Sequence, residues 1–341
     1  MPPDTDLPRV AVIIAHLNGR DLLPACLGSL FRQNYPNYEV TVVDNGSTDG
    51  SVEFVRRSYP QVKIVQNRTN LGYAGANNVG AERSDGELLL FLNHDTVVSE
   101  DFLIELVNVL LQDPSVGIVQ SKMLMAKNPG LIDSVGSYFT RTGILVHKDR
   151  ALPDSCAPAI PVEVFGATGA CLLVRRQLFE ALRGFDSDYV IYYEDTDLSW
   201  RTWLLGYKVL LVPSSVIWHW GGATTSRYLP SPFTIFHTFK NRLCSLIKLL
   251  PSSELVLVLP LHLLICLGGA AAYLIHLKLT SGWAILKALL WNFQHVGETM
   301  TKRKEIGDLA TVPRGSLFPR LQRPMPADYF MAVSRGYLSS W

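Results

Sequence analysis

From Val10 to Val119 short apolar runs alternate with amphipathic stretches, and this alternation restricts what the chain can fold into more than any other feature. Val10-Ala11-Val12-Ile13-Ile14-Ala15 is a continuous, largely β-branched run, too short for a helix and suited to a strand buried on both faces. Asp21 to Gln33 then spaces Leu22, Leu23, Cys26, Leu30 and Phe31 at near-helical intervals. The same reading predicts strands over 39–43, 62–65, 88–92 and 116–119, and helices over 51–58, 74–83 and 101–112. Strands that alternate with helices across short turns lie parallel, with the helices covering the sheet. The predicted class is α/β.

The pattern weakens between Lys122 and Pro161, where Pro153, Pro158 and Pro161 punctuate a predicted mobile connection. It returns as a strand over 170–174, helices over 176–182 and 194–204, and a strand over 209–212. A length of 341 residues fits two domains, or one large domain with an appendage. The predicted division is 1–121 and 122–232 as two halves of one catalytic unit, 233–306 as membrane-associated helices, and 307–341 as a tail. Lys and Arg total 31 against 30 Asp and Glu, so the net charge of +1 gives no case for nucleic acid as a partner. Five widely spaced cysteines without a CxxC pair exclude a disulfide scaffold and a Cys-rich zinc site, and fit a reducing compartment. MPPDTDLPRV lacks the basic-then-apolar pattern of a secretory signal, so the globular part is expected in the cytoplasm.

After Phe233 the composition changes. Leu255 to Leu277 holds no formal charge over 23 residues, against the ~20 needed to cross a bilayer, although Pro260, His262, Gly268, Gly269 and His276 make the span imperfect. Trp283 to Met300 sets Lys287, Gln294, His295 and Glu298 on one helical face, an interfacial pattern, and Lys302-Arg303-Lys304 follows as an anchor for anionic headgroups. A buried pair of core helices is the alternative. Basic residues flank the apolar run on both sides (Arg227, Lys240, Arg242 and Lys248 before it; Lys278, Lys287 and 302–304 after it). A single span would carry one set across the membrane, so a re-entrant or in-plane element is expected, with both flanks cytoplasmic.

The chemistry-bearing residues fall where strands end, which is where open α/β sheets bind ligands. Asp44 closes the second strand before Asn-Gly-Ser-Thr-Asp-Gly and is read as a ligand contact; Asp49 is read as a helix cap. The turn after the first strand, Ala15-His16-Leu17-Asn18-Gly19, lacks GxGxxG, which argues against NAD. Asn70-Leu-Gly72-Tyr-Ala-Gly75-Ala-Asn77-Asn78-Val-Gly80 offers close backbone approach and side-chain amides to a nucleotide or sugar, or else packs a helix start tightly on the sheet. Asn93-His94-Asp95 ends the fourth strand, and Asp95 suits a hard divalent cation on a diphosphate. Glu194-Asp195-Thr-Asp197 opens a helix behind a Tyr-rich approach; one carboxylate there suits a general base, while Asp197 and Arg201 are an i,i+4 pair. Trp218-His219-Trp220 before a Gly pair suggests a ligand or sugar contact, or else a core histidine.

Together these segments, over about residues 9–223, resemble glycosyltransferase family 2 of the GT-A fold, and its rhamnosyltransferase-like branch in particular. The resemblance implies a mostly parallel Rossmann-like sheet flanked by helices, with a hydrophobic membrane-associated C-terminal region. It places Asp44 on the nucleotide base, Asn77 and Asn78 in the donor pocket, Asn93 in the first position of a DxD-type motif, and Asp95 and His219 on Mg²⁺ or Mn²⁺. It makes Asp195 the base, faces Arg201 toward the diphosphate, and leaves Glu194, Trp218 and Trp220 for the acceptor. The implied reaction is inverting transfer from a nucleoside-diphosphate sugar (dTDP-rhamnose or a UDP-hexose) to a glycan or lipid-linked hydroxyl in cell-surface polysaccharide synthesis, at the cytoplasmic membrane face. Because Asp195 opens a helix, its pKa is expected to stay near the ordinary carboxylate value. A membrane-tethered carbohydrate-binding protein is the alternative, motivated by Asn93 in place of an acid; a nucleotidyltransferase would need a basic Gly-rich loop that the first turn lacks.

Overall fold

The computed structural model describes residues 7–222, 227 and 229–323. β1 (Val10–His16), β2 (Tyr38–Asp44), β3 (Lys63–Gln66) and β4 (Leu88–Leu92) alternate with α1 (Leu23–Leu30), α2 (Ser51–Ser58) and α3 (Gly72–Glu82). β1 pairs in parallel with both β2 and β4, and β2 with β3. The alternating side chains of β1 feed two cores. Ala11 and Ile13 join one with Phe91, while Val10, Val12 and Ile14 join the other with Leu88, Leu90 and Leu92. A sheet buried on both faces needs apolar residues at every position, which is why these strands read as unbroken runs.

Beyond β4 the mostly parallel sheet takes in antiparallel members and becomes mixed. After β5 (Thr96–Val98) and α4 (Phe102–Gln112) come β6 (Val116–Met125), β7 (Asn128–Ser134), β8 (Ser137–Thr140), β9 (Leu145–His147), β10 (Val162–Glu163) and β11 (Cys171–Arg175). β11 runs antiparallel between β4 and β6. No helical crossover precedes it, so nothing in the local pattern fixes its direction. After α5 (Arg176–Ala181) and α6 (Glu194–Leu204), β12 (Lys208–His219) returns parallel to β6. The sheet order is β10-β12-β6-β11-β4-β1-β2-β3. β6 and β12 both outrun their predicted ends because buried polar residues continue them: Ser121 and Ser215 hydrogen-bond at 2.7 Å, and Thr168 N–H donates to Gln120 Oε1 at 2.7 Å. All five cysteines are free.

The C-terminal region comprises α7 (Ser231–Leu249), α8 (Ser252–Ile275), α9 (Leu279–Gln294) and α10 (Val296–Leu309), followed by α11 (Arg314–Leu321) and β13 (Gln322–Arg323). The predicted 283–300 element is therefore split at His295. Several of the basic residues flanking the apolar run, Lys302 and Arg303 of the expected headgroup anchor among them, point inward instead. Lys248 Nζ lies 2.6 Å from both Asp186 and Asp197, Lys302 Nζ lies 2.6 Å from Asp186 and Asp188, and Arg303 donates to Ile247 O at 2.7 Å. Lys240 sits over the Trp291 ring and Arg242 over Phe239. Lys278, Lys287 and Lys304 remain exposed. Residues 324–341 of the predicted tail lie outside the described residues.

Candidate active site

Four strand ends and one helix start converge on a cleft of about 290 Å³. β1 brings Ala15 and His16, the segment after β4 brings Asn93, His94 and Asp95, and the turn before β11 brings Thr168, Gly169 and Ala170. α6 contributes Glu194 and Asp195, and the end of β12 contributes His219. Asp95, Asp195 and His219, spread over 124 positions of sequence, thus line one space.

Asp95 and His219 form its charged wall. Oδ1 of Asp95 lies 3.3 Å from His219 Nε2, and Asp133 Oδ2 lies 2.7 Å from Nδ1 of the same ring. Burial opposes charge on His219, but the two carboxylates outweigh it and push its pKa up to about 10. Nε2 is buried without an aligned hydrogen bond. Among the described residues no three His, Cys, Asp or Glu side chains form a metal-holding group. Asp95 and His219 therefore amount to two protein donors facing the cleft. That set fits an octahedral cation that completes its shell with phosphate oxygens and water.

Asp195 is fixed by its surroundings. Oδ2 accepts Gly169 N–H at 2.7 Å, and Oδ1 accepts Thr196 N–H at 2.6 Å. Burial raises its pKa, and these donors only partly offset the rise. Burial and the adjacent Asp195 push Glu194 well above the usual carboxylate range. Tyr192 and Tyr193, at φ 67° and 69°, lead into the helix in the left-handed region, where neither residue is favoured. Asn241 from α7 holds that turn, donating to Ile191 O at 2.9 Å and Tyr192 O at 2.7 Å.

Other predicted residues are placed elsewhere. The Asp44 carboxylate accepts the Gly46 and Ser47 amides of its own turn, at 3.3 and 3.2 Å, and Asn45 lines the cleft instead. Asn77 donates to Tyr73 O within α3, and Asn78 clamps the Phe185 backbone, donating to its oxygen and accepting from its nitrogen at 2.9 Å each. The glycine-rich α3 packs closely on the sheet: a Cβ at Gly80 would stand 2.4 Å from Ile13 Cγ2. Arg201 is buried, 2.7 Å from Asp197, with its remaining donors on the Leu182 and Gly184 carbonyls, so it does not face a diphosphate here. Trp218 packs against the core, the backbone N–H of Trp220 donates to the backbone carbonyl of Asp95, and neither side chain lines the cleft. Strand alternation that turns His219 inward sends its neighbours the other way.

The glycosyl transferase family 2 profile matches residues 11–183, just over half of the 341 residues. The chain belongs to glycosyl transferase family 2. This family 2 chain is 31% identical over 232 residues to the O-antigen biosynthesis protein RfbC of Myxococcus xanthus; the match covers 64% of the chain but 18% of that larger protein. It is 27% identical over 224 residues to N-acetylglucosaminyl-diphospho-decaprenol L-rhamnosyltransferase of Mycobacterium tuberculosis, covering 58% of the chain and 71% of that protein. Its fold matches the mannosyltransferase PcManGT of Pyrobaculum calidifontis, solved with GDP-Man and Mn²⁺, at a TM-score of 0.54 and 21% identity, covering 86% and 89% of the two chains. GalNAc-T7, solved with UDP, GalNAc and Mn²⁺, matches at 0.59 and 18% identity over 73% of this chain and 49% of that one. The fold is GT-A-like.

Proximity in space, which no spacing rule encodes, added Asp133, Arg150, His147 and Tyr73 to the site. Each sits in a segment whose sequence reads as an ordinary strand, loop or helix.

Proposed function

We propose that this family 2 domain is an inverting glycosyltransferase that moves a sugar from a nucleoside-diphosphate donor, dTDP-rhamnose or a UDP-hexose, to a hydroxyl of a glycan or lipid-linked acceptor in cell-surface polysaccharide synthesis. The observation that carries this reading is the convergence of Asp95, His219 and Asp195 on one cleft at the strand ends. Asp195 accepts the proton of the acceptor hydroxyl while that oxygen forms its bond to the anomeric carbon. The bond from that carbon to the diphosphate oxygen breaks on the opposite face, so the configuration inverts and no covalent enzyme intermediate forms. Asp95 and His219 are the residues that would hold Mg²⁺ or Mn²⁺, whose chemistry is to neutralise charge on the departing diphosphate. The N–H of Gly169 and the helix start keep Asp195 aimed into the cleft.

The reading includes the cytoplasmic membrane face. α8 is 24 residues long and apolar enough to cross a bilayer, and Val256, Leu257, Leu264 and Ile275 on it are 67–77% exposed. Lys248 before it and Lys302 after it both hold Asp186, so the chain returns to the side from which it left. That geometry suits a re-entrant or in-plane hairpin better than a single span. A thiol placed at Lys304 should react with membrane-impermeant reagents only from the cytoplasmic side.

The deciding assay incubates the purified chain with a panel of nucleotide sugars and Mg²⁺ or Mn²⁺ and reads nucleoside diphosphate release. Release with one donor, abolished by chelation, is expected. Sugar binding with no turnover under any donor would favour the carbohydrate-binding alternative.

A further inference from the structure

We propose that Asp133 is a positioning residue that acts through His219. From the end of β7 it holds the imidazole so that Nε2 faces Asp95 and the cation site. The inference rests on the reading of Asp95 and His219 as metal donors. Asp133 is 5% exposed and its two oxygens have separate tasks. Oδ2 lies 2.7 Å from His219 Nδ1, and Oδ1 lies 3.0 Å from Arg150. An ionised carboxylate only accepts hydrogen bonds, so the proton sits on His219 Nδ1 and is donated to Asp133, and Nε2 is the nitrogen left for a cation. Asp133 lies on the opposite edge of the ring from Asp95, which makes it a support for the ligand rather than a third ligand.

Arg150 completes the arrangement. It stands between Asp149 and Ala151, both in the left-handed region at φ 54° and 65°. That turn is tied to β7, with Ala151 N–H on Ile132 O at 2.8 Å and Ile132 N–H on Leu152 O at 2.9 Å. The strained turn therefore delivers a fixed cation to the far oxygen of Asp133. It also limits the negative charge that two nearby carboxylates would otherwise accumulate beside the cleft.

The test is Mn²⁺ binding, read by loss of the free-ion electron paramagnetic resonance signal, on the full chain without donor or acceptor. Asp133→Asn is expected to weaken Mn²⁺ binding by ~10–100-fold, with Asp133→Glu recovering part of the loss. His219→Ala should weaken binding at least as much, and adding Asp133→Asn to it should cost nothing further. Wild-type Mn²⁺ affinity in a folded Asp133→Asn variant overturns the proposal, as does a second full loss in the His219→Ala background. Equal affinity in wild type and His219→Ala overturns the metal reading beneath it and removes the inference with it. Should Asp133→Asn fail to fold, Arg150→Met loosens the same carboxylate from its partly exposed side. A smaller loss of affinity is then expected, and unchanged affinity counts against the proposal.

Discussion

Asp195 and Glu194 are adjacent acids with different settings, and the difference is testable. Asp195 accepts two backbone amides and lies against Gly169, whereas Glu194 Oε2 is buried without a partner, and burial with the adjacent Asp195 pushes its carboxyl well above the usual range. Asp195→Asn is expected to leave donor binding intact and cut transfer by ~10²–10⁴-fold. Glu194→Gln keeps the size and shape of a side chain whose ionisation burial disfavours, so it should retain most of the turnover. Equal losses in the two variants would sink the assignment of the base. Because burial raises Asp195, the acid limb of kcat/KM should lie above the ordinary carboxylate value near ~3.9. At this scale the sequence reading picked out Asp95 and Asp195, which line the cleft, but also Asp44, Asn78 and Arg201, which do not. Asn78 and Arg201 are equally polar in the sequence, yet both are spent on buried backbone groups that would otherwise lack partners.

Among the elements, the link between α6 and the C-terminal helices is ionic. Lys248 on α7 is 1% exposed and bridges Asp186 to Asp197, while Lys302 on α10 bridges Asp186 to Asp188. The loop carrying Asp186 and Asp188 leads directly into the left-handed turn before Asp195. The two lysines outweigh burial and hold the Asp186 carboxyl well below its usual range. Lys248→Met leaves buried carboxylates uncompensated and should cost ~3–5 kcal/mol in denaturant unfolding. Arg183→Ala, which breaks the exposed pair with Glu305, should cost under ~1 kcal/mol. Comparable costs would mean that the buried network does not anchor the helices. Lys248 reads in the sequence as a flanking charge and Lys302 as part of a headgroup anchor, because charge patterning shows which residues flank an apolar run and not which way they turn.

For the whole molecule, buried histidines set opposing pH dependences. Burial lowers His16 to about 3 and His147 to about 4. Below ~6.5 the unfolded chain takes up protons that the fold refuses, so stability falls as pH drops from there toward 4. His219 does the reverse: despite burial, Asp95 and Asp133 hold its pKa at about 10, so its contribution is complete below ~6.5 and is lost as pH rises toward 10. Metal-free thermal midpoints measured between pH 4 and 10 should peak near ~6.5. A flat or one-directional profile would contradict this balance.

By itself the sequence determined the α/β alternation, the strand ends that carry Asp95 and His219, the helix start that carries Asp195, and the apolar helix after α7. Each of these is a local periodicity or a local composition, and a side chain's place in such a pattern is fixed by backbone geometry a few residues long. The tertiary structure alone decided that β11 runs antiparallel, that Asp44, Asn78 and Arg201 turn away from the cleft, and that Asp133 meets His219 from 86 residues away. Strand order, side-chain direction in buried polar networks and contacts across the sheet come from packing and hydrogen-bond satisfaction over the whole chain.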